Sequence, residues 1–216
     1  MLKALMAQLQ KLVRTPTPVD PKSFNDPLAE RTQWTPAKGG GANFCTSKLH
    51  EAGPGRFEFR PTIGMKLFAM VFLLMGLGAV TLGINLFFFV EAPGHDWGAL
   101  IPVLVGAVFA AVGGGMLHAN AKPLVFDRTR SLFYRGAAGA APPKDYIELS
   151  RIHALQLISE RCTGKNSSYY SYELNLILDD ASRVNVADHG DRERLREDAQ
   201  TLASFLGKPI WDAIAR

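Results

Sequence analysis

This sequence has few cysteines, a small net charge and no recognisable catalytic motif. Only two cysteines, Cys45 and Cys162, occur among 216 residues, too few for a disulfide framework. The formal net charge of +4 is a mild excess, whereas nucleic-acid-binding proteins concentrate far more Lys and Arg on one face. The glycine run at 39–41 lacks the Gly-Lys-Ser/Thr that follows in a phosphate-binding loop. These absences argue against a structural disulfide, a nucleic-acid partner and a nucleotide-binding loop.

Metal-binding spacings are missing as well. Zinc sites in proteins place Cys and His at short, recurring intervals. Neither of the two Cys/His groups in this chain has such an interval: Cys45 with His50, and Cys162 with His153 and His189. The sequence therefore predicts no metal, no cofactor and no catalytic residue.

Charged residues are absent from two long apolar segments, residues 67–90 and 99–117. A helix rises about 1.5 Å per residue, so about 20 residues cross a hydrocarbon core of roughly 30 Å. A short polar stretch, residues 91–98, separates the two segments. The pattern predicts a membrane helical hairpin, with helices at 63–90 and 99–118 joined by a loop at 91–98.

Basic residues flank the hairpin and are missing from its loop, which carries Glu91, His95 and Asp96. Membrane proteins retain Lys and Arg on the cytoplasmic side, so both termini and both cysteines are expected there, in the inner membrane of a bacterium. Thiols stay reduced in that compartment. The basic flanks are Lys48, Arg56, Arg60 and Lys66 before the first helix, and Lys122, Arg128, Arg130 and Arg135 after the second.

Small residues recur at four-residue spacing on both helices. Ala79 and Gly83 share a face of the first, and Gly106, Ala110 and Gly114 share a face of the second. Such stripes let helix backbones approach closely, so they predict packing of the hairpin against itself or against a second copy. A transport path needs more polar groups than the single strongly polar residue of the first segment.

The N-terminal third divides into three parts. Residues 1–14 have the 3.6-residue period of an amphipathic helix, which either lies on the membrane surface or packs on a protein. Residues 15–42 are rich in Pro and Gly and predict a flexible linker. Residues 43–62 predict a two-stranded ribbon around the turn at 53–55, which most simply packs on the C-terminal domain.

Residues 122–216 alternate polar and apolar side chains, which predicts a meander of antiparallel strands. A closing helix carries Leu195, Ala199, Leu202 and Leu206 on one face and ends at Gly207. The run at 188–191 (Asp-His-Gly-Asp) precedes that helix. Asp and Gly suit a strand-to-helix junction, so a capping role is favoured over a general base at His189.

The strand order, turns and closing helix of this region resemble bacterial pleckstrin-homology-like (PH-like) domains found in small membrane proteins. The segments that carry the resemblance are 125–128, 134–136, 147–152, 174–180 and the terminal helix. The resemblance implies an antiparallel PH-like β-sheet or barrel closed by a C-terminal helix. The expected fold class is thus a membrane α-helical hairpin plus an α+β cytoplasmic domain. The resemblance implies a binding or scaffolding module more than a catalytic activity.

Basic and aromatic residues of this domain are the candidate binding residues. The basic ones either meet anionic lipid headgroups or only fix the topology. An aromatic loop is typical of a protein-contact surface. The candidates are Arg128, Arg130, Arg135, Lys144, Arg151, Arg161 and Lys165, with Tyr169 and Tyr170 in the loop.

The sequence therefore favours a non-enzymatic inner-membrane protein whose hairpin anchors a domain that binds a protein partner or organises a membrane complex. The expected partners are membrane lipids and a protein or second copy of the chain. Two alternatives stay open. One is an immunity or regulatory subunit of another membrane component. The other is a membrane-bound hydrolase that uses His189 with Asp188 or Asp191.

Overall fold

The structure is a computed structural model that describes residues 15–16, 19–37, 39–89, 97–136, 145–163 and 167–214. The amphipathic helix predicted at 1–14 lies outside the described residues, as do residues 90–96 of the predicted loop. The chain forms two compact units. One is helical, Pro61–Lys122, and the other is α+β, built from Met1–Arg60 and Pro123–Arg216.

The helical unit contains the two long apolar helices that the sequence predicts. The first is Ile63–Phe89; the second is Leu100–Ala119, preceded by a 3₁₀ turn at Trp97–Ala99. Residues late in the first helix face residues early in the second, so the pair is antiparallel. Both helices are long and apolar enough to cross a membrane. They are called α2 and α3 below.

A first five-stranded sheet joins segments on either side of the helical unit. Its strands, in spatial order, are β2 (Ser47–Gly53), β3 (Arg56–Pro61), β4 (Leu124–Asp127), β5 (Leu132–Arg135) and β6 (Tyr146–Glu148). Strands β3 and β4 pair antiparallel, with Phe59 opposite Leu124. The ribbon is therefore part of the same unit as the C-terminal region, and the helical unit is an insertion between two neighbouring strands.

A second sheet contains β7 (Ile152–Thr163), β8 (Ser168–Leu178) and β9 (Arg183–His189), paired antiparallel. Two short strands share the other edge of β7: β1 (Thr15–Pro16) runs antiparallel to it and β10 (Ile210–Asp212) runs parallel. The region predicted as one antiparallel meander thus forms parts of two sheets with one parallel pairing. Period-two alternation predicts strands, but it does not say which sheet each joins.

The closing helix, α4, spans Arg192–Leu206. The Asp191 side chain accepts a hydrogen bond from Arg194 N at 3.0 Å, so Asp191 is the N-cap that the sequence predicted. Gly207 ends the helix in the left-handed conformation, with φ of 66°. Leu195, Ala199 and Leu202 are fully buried in a core that also contains apolar residues of both sheets.

The segment predicted as a flexible linker differs from that expectation. It contains a 3₁₀ turn at Pro21–Phe24 and the short helix α1, Pro27–Arg31. Phe24 and Trp34 stack at 5.0 Å between ring centroids, and both rings lie about 6 Å from Trp211 of β10. With Ala29 they cover Ala154 and Ile177 on the outer face of the second sheet. The proline content predicted a break in regular structure. It did not predict the packing of Phe24 and Trp34 on Trp211, called the aromatic anchor below.

Candidate functional site

The two apolar helices meet through small residues spaced seven apart. Gly76, Gly83, Gly106 and Gly113 are buried, and each faces the backbone of the other helix. A Cβ added at Gly83 would lie 2.7 Å from Ala99 O, and one at Gly113 would lie 2.7 Å from Ala69 O. Ala69, Gly76 and Gly83 thus oppose Gly113, Gly106 and Ala99 in one constant antiparallel register. Close backbone packing along this stripe holds the pair together, and Phe72 of the first helix stacks on Phe109 of the second at 5.5 Å between ring centroids.

The predicted packing stripe is only partly the stripe in the structure. Gly83 and Gly106 lie at the contact, Ala110 faces Gly76, and the Cβ of Ala79 faces Gly106. Gly114 does not, because a Cβ added there meets nothing within 4 Å. Gly113 takes its place. Counting in steps of four from Gly106 and Ala110 leads to Gly114. The contact between the antiparallel helices repeats every seven residues, and this repeat leads from Gly106 to Gly113.

Large apolar side chains cover the outward surfaces of both helices. Leu67 is 62% exposed and Leu104 is 68% exposed, and they are accompanied by Leu74, Met75, Leu82, Ile101 and Val108. Soluble proteins rarely expose a contiguous apolar surface of this size. A buried core helix of a soluble protein has these residues inside, whereas these two helices are mostly unburied and are long and apolar enough to cross a membrane.

Polar side chains line the centre of the second sheet on its outer face. They pair across strands, Gln156 opposite Asn175 and Glu160 opposite Ser171, with Glu173 between them. All five are at most 1% exposed. Buried polar groups this numerous require hydrogen-bond partners. This set of five residues is called the polar face below.

Several partners of the polar face come from residues 33–37 and 39–46, called the strap below, whereas Asn175 donates within the sheet, to Gln156 Oε1 at 3.3 Å and Glu173 Oε2 at 3.1 Å. Gln156 Nε2 donates to Gln33 O at 3.0 Å. The Ser171 hydroxyl lies 3.1 Å from Ala42 O and 2.7 Å from Asp188 Oδ1, and its single proton goes to the closer carboxylate. Ala37 N donates to Glu173 Oε2 at 2.9 Å, and Gly40 N donates to Glu160 Oε2 at 3.2 Å. The sheet therefore binds the strap through the strap's main chain. A carboxylate that accepts a backbone N–H in a dry site is bonded more strongly than a neutral acceptor.

The candidate basic residues of the first sheet are divided between its two ends. Arg128 and Arg130 lie at the β4–β5 turn, where Arg128 stacks on the Phe205 ring at 5.1 Å and Arg130 lies 3.9 Å from Asp127. Arg135 is exposed at the other end of β5, opposite Leu124. These three side chains do not converge on one site.

The second sheet separates its candidates in the same way. Arg151 pairs with Asp179 at 3.0 Å and with Asp180 at 3.3 Å, just before β7 begins. Arg161 lies ten residues further along that strand, about 30 Å away at 3.3 Å per residue. Lys144 and Lys165 lie outside the described residues. The basic candidates within the described residues therefore form several local contacts and do not converge on one anion-binding surface.

One part of the candidate set does form a surface, at the outer end of the β7–β8 hairpin. Arg161 lies directly opposite Tyr170, which is 47% exposed. The Tyr170 ring stacks on Tyr172 with 6.5 Å between centroids. Tyr169 points to the opposite face, where its hydroxyl donates to Gly41 O of the strap at 3.0 Å. Arg161, Tyr170 and Tyr172 are called the Tyr–Arg patch below, and Tyr and Arg are the residues enriched at protein interfaces.

His189, the candidate general base, is fully buried at the junction of β9 and α4. Its Nδ1 accepts a hydrogen bond from Asp191 N at 3.2 Å, which leaves the proton on Nε2. Nε2 is buried without a hydrogen-bond partner in the described part of the chain. Desolvation by burial lowers the pKa of His189 to about 4. The imidazole is therefore neutral near pH 7, and its burial closes it to solvent.

Cys162 and His153 lie at opposite ends of β7. Cys162 is buried near the outer end of β7, whereas His153 lies at the start of that strand with Nε2 2.7 Å from Asp26 Oδ2. Cys45 is half-buried, and burial raises the pKa of its thiol. Within the described residues no group of three His, Cys, Asp or Glu side chains is placed to hold a metal ion.

Comparison of the chain with protein-family models, with curated proteins and with solved structures finds no match. A function for this chain is therefore proposed from the chemistry of its own residues.

Proposed function

We propose that this chain is a non-enzymatic protein of the bacterial inner membrane that anchors a cytoplasmic, PH-like α+β unit and binds a protein partner through the Tyr–Arg patch. The observation that carries the proposal is the insertion of two lipid-compatible helices between paired strands of a unit that displays exposed Tyr and Arg. The organisation resembles an adaptor, in which the anchor fixes the location and the folded unit supplies recognition.

The exposed apolar surface of α2 and α3 supports placement in a bilayer. Each fully exposed Leu, Ile or Val side chain that moves from water to hydrocarbon contributes about 1.5–3 kcal/mol. More than ten Leu, Ile and Val side chains on the two helices are exposed, by 37% to 76% each. Their combined transfer free energy is comparable with the net stability of a soluble domain, about 5–15 kcal/mol, so the chain is expected to require detergent.

Strand pairing supports an even number of membrane crossings. β3 leads into α2 and β4 follows α3, and these two strands are hydrogen-bonded neighbours. A sheet forms only when both strands lie on the same side of the bilayer, because unpaired backbone does not cross hydrocarbon. Both ends of the helical unit therefore belong on one side, with residues 90–96 on the other.

The distribution of Lys and Arg supports assigning the α+β unit and both termini to the cytoplasm. A reporter that is active only in the periplasm should be silent when fused after Arg216 and active when inserted at His95. The reverse pattern would contradict the proposed orientation. Activity at neither position would contradict membrane insertion.

The composition and exposure of the Tyr–Arg patch support partner binding. Interface anchors are most often Tyr, Trp and Arg, and truncating one typically weakens binding by 2 kcal/mol or more. A photoreactive phenylalanine analogue at position 170 should cross-link a partner in cell membranes. The same analogue at Tyr146, which is 52% exposed on the first sheet, is the matched control.

Substitutions sharpen the same experiment. Tyr170→Ser and Arg161→Glu should remove the partner from detergent-solubilised preparations, whereas Tyr146→Ser should retain it. Equal cross-linking at positions 170 and 146 would contradict a specific patch. A chain in which His189→Ala abolishes function while the partner stays bound would instead favour the hydrolase alternative.

A further inference from the structure

A cleft of about 580 Å³ opens between the strap and the turn that joins β8 to β9. Two arginines, Arg31 and Arg183, line it together with Gln33, Asp180 and Ser182. Its volume lies within the usual range of small-molecule sites, about 300–1,000 Å³. None of the candidate binding residues derived from the sequence lines this cleft, so the Tyr–Arg patch and the cleft are separate features.

The Arg183 guanidinium is oriented and partly desolvated. Its Nη1 donates to Thr35 O at 2.6 Å and its Nη2 donates to Gln33 Oε1 at 3.3 Å. Burial lowers the pKa of Arg183, and the Glu173 charge offsets that effect only in part. No carboxylate lies within ion-pair distance of it in the described part of the chain. A guanidinium has five N–H donors, so donors remain for a ligand.

The other charges of the cleft leave a positive excess. Arg31 makes no hydrogen bond or ion pair within the described residues. Asp180 is already engaged: one oxygen accepts from Ser182 N at 2.9 Å and the other lies 3.3 Å from Arg151 Nη2. Arg151 is shared with Asp179, so it offsets only part of the Asp180 charge at the rim. Arg31 and Arg183 themselves form no ion pair in the described part of the chain, so the cleft lining keeps two positive charges against one partly offset carboxylate.

We propose that this cleft binds a phosphate group between Arg31 and Arg183. A phosphate ester carries close to two negative charges near pH 7, which matches the two arginines. Guanidinium groups bind phosphate oxygens through paired N–H donors, and a carboxylate supplies only one negative charge to the same site. The phosphate belongs either to a soluble ester or to a lipid headgroup. This inference does not rest on the membrane location or on the Tyr–Arg patch.

Titration of inorganic phosphate into the full chain in neutral detergent tests the proposal, with binding measured by calorimetry. Saturable binding of one phosphate per chain is expected, and acetate at equal ionic strength should bind more weakly. Arg31→Gln should raise the dissociation constant for phosphate fivefold or more. Arg31 makes no contact that the fold needs, so this variant should remain folded, which its thermal unfolding would verify. Arg194→Gln, an exposed arginine of α4, is the charge-matched control and should leave the constant unchanged.

The outcomes are distinct. Non-saturable binding, an increase below fivefold in Arg31→Gln, or an equal loss in Arg194→Gln would overturn the proposal. With binding established, competition separates the two sources of the phosphate. Displacement at lower concentration by glycerol phosphate indicates a soluble ester, and displacement at lower concentration by phosphatidic acid in mixed micelles indicates a headgroup.

Discussion

The helical unit and the α+β unit place their residues in opposite ways. In the helical unit the small residues meet at the contact and the large apolar ones face outward. In the α+β unit the large apolar residues fill the core. Water drives the second arrangement through apolar burial, whereas lipid gives helices no such drive. This inversion supports the proposed placement of the helical unit in lipid and of the α+β unit in water.

Polar groups differ between the units as well. The helical unit satisfies its backbone within its own helices, and Asn85 donates to Thr81 O one turn earlier. The α+β unit buries the polar face, in which Gln156, Glu160 and Glu173 hydrogen-bond to the main chain of the distant strap. The two units should therefore fail under different substitutions: added volume in the first, and lost anchors or added charge in the second.

Added volume at the helix contact should have the largest effect. In Gly76→Leu the new side chain would meet Gly106 O at 2.6 Å from its Cβ, so the helices must separate. We expect a loss of about 3 kcal/mol, the upper range for overpacking. Unfolding by sodium dodecyl sulfate, followed by circular dichroism, measures it. Gly78→Leu is the matched control, since nothing lies within 4 Å of that position. Equal losses in the two variants would contradict the packing.

Loss of the aromatic anchor should destabilise the α+β unit and release the strap. Trp34 stacks on Phe24 and donates from Nε1 to Ala29 O at 2.8 Å. Trp34→Ala should cost about 3 kcal/mol and make residues 33–46 sensitive to protease. Denaturant unfolding and mass spectrometry of limited digests measure both. Trp97→Ala, in the helical unit and 70% exposed, should leave strap cleavage unchanged. A protected strap in Trp34→Ala would show that hydrogen bonds alone hold it.

Acid should destabilise the same unit through His189. The unfolded imidazole takes up a proton near pH 6.5, whereas the folded one resists protonation down to about pH 4. This stability is fully present above about pH 6.5 and is lost as the pH falls towards 4, by up to about 3 kcal/mol. Denaturant unfolding of the wild type and of His189→Asn across this range measures it. An equally steep loss in the variant would assign the effect to other groups.

Local sequence patterns predicted the elements but not the long-range contacts. Charge-free length predicted α2 and α3, alternation predicted β4, β5 and β8, and the leucine face with Gly207 predicted α4. The polar face was not predictable in the same way. Glu173 and Asn175 alternate with Leu174 and Leu176, which is the pattern of a strand with one solvated face. A segment more than a hundred residues away buries them, and alternation carries no information about that.

The candidate site shows the same limit. Tyr170 and Arg161 were candidates by composition and share a surface because β7 and β8 pair there. Arg31 and Arg183 were not candidates, because one lies in a segment predicted as a linker and the other in a short strand. Only the strap brings them to one cleft. Residue type predicts what a side chain can bind, while tertiary contacts decide which side chains bind together.

The smallest expected effect distinguishes two adjacent glycines and tests the register of the hairpin. The four-residue spacing in the sequence selected Gly114, but the seven-residue repeat of the contact selects Gly113. Gly114→Ala should stabilise α3 by about 0.5–1 kcal/mol, because alanine loses less backbone entropy in a helix and the site is open. Gly113→Ala should instead destabilise it, since the methyl group would lie 2.7 Å from Ala69 O. The detergent titration used for Gly76 measures both. Stabilisation at position 114 together with destabilisation at position 113 requires one fixed antiparallel register of the two helices. Two variants that both stabilise, or both destabilise, would contradict that register.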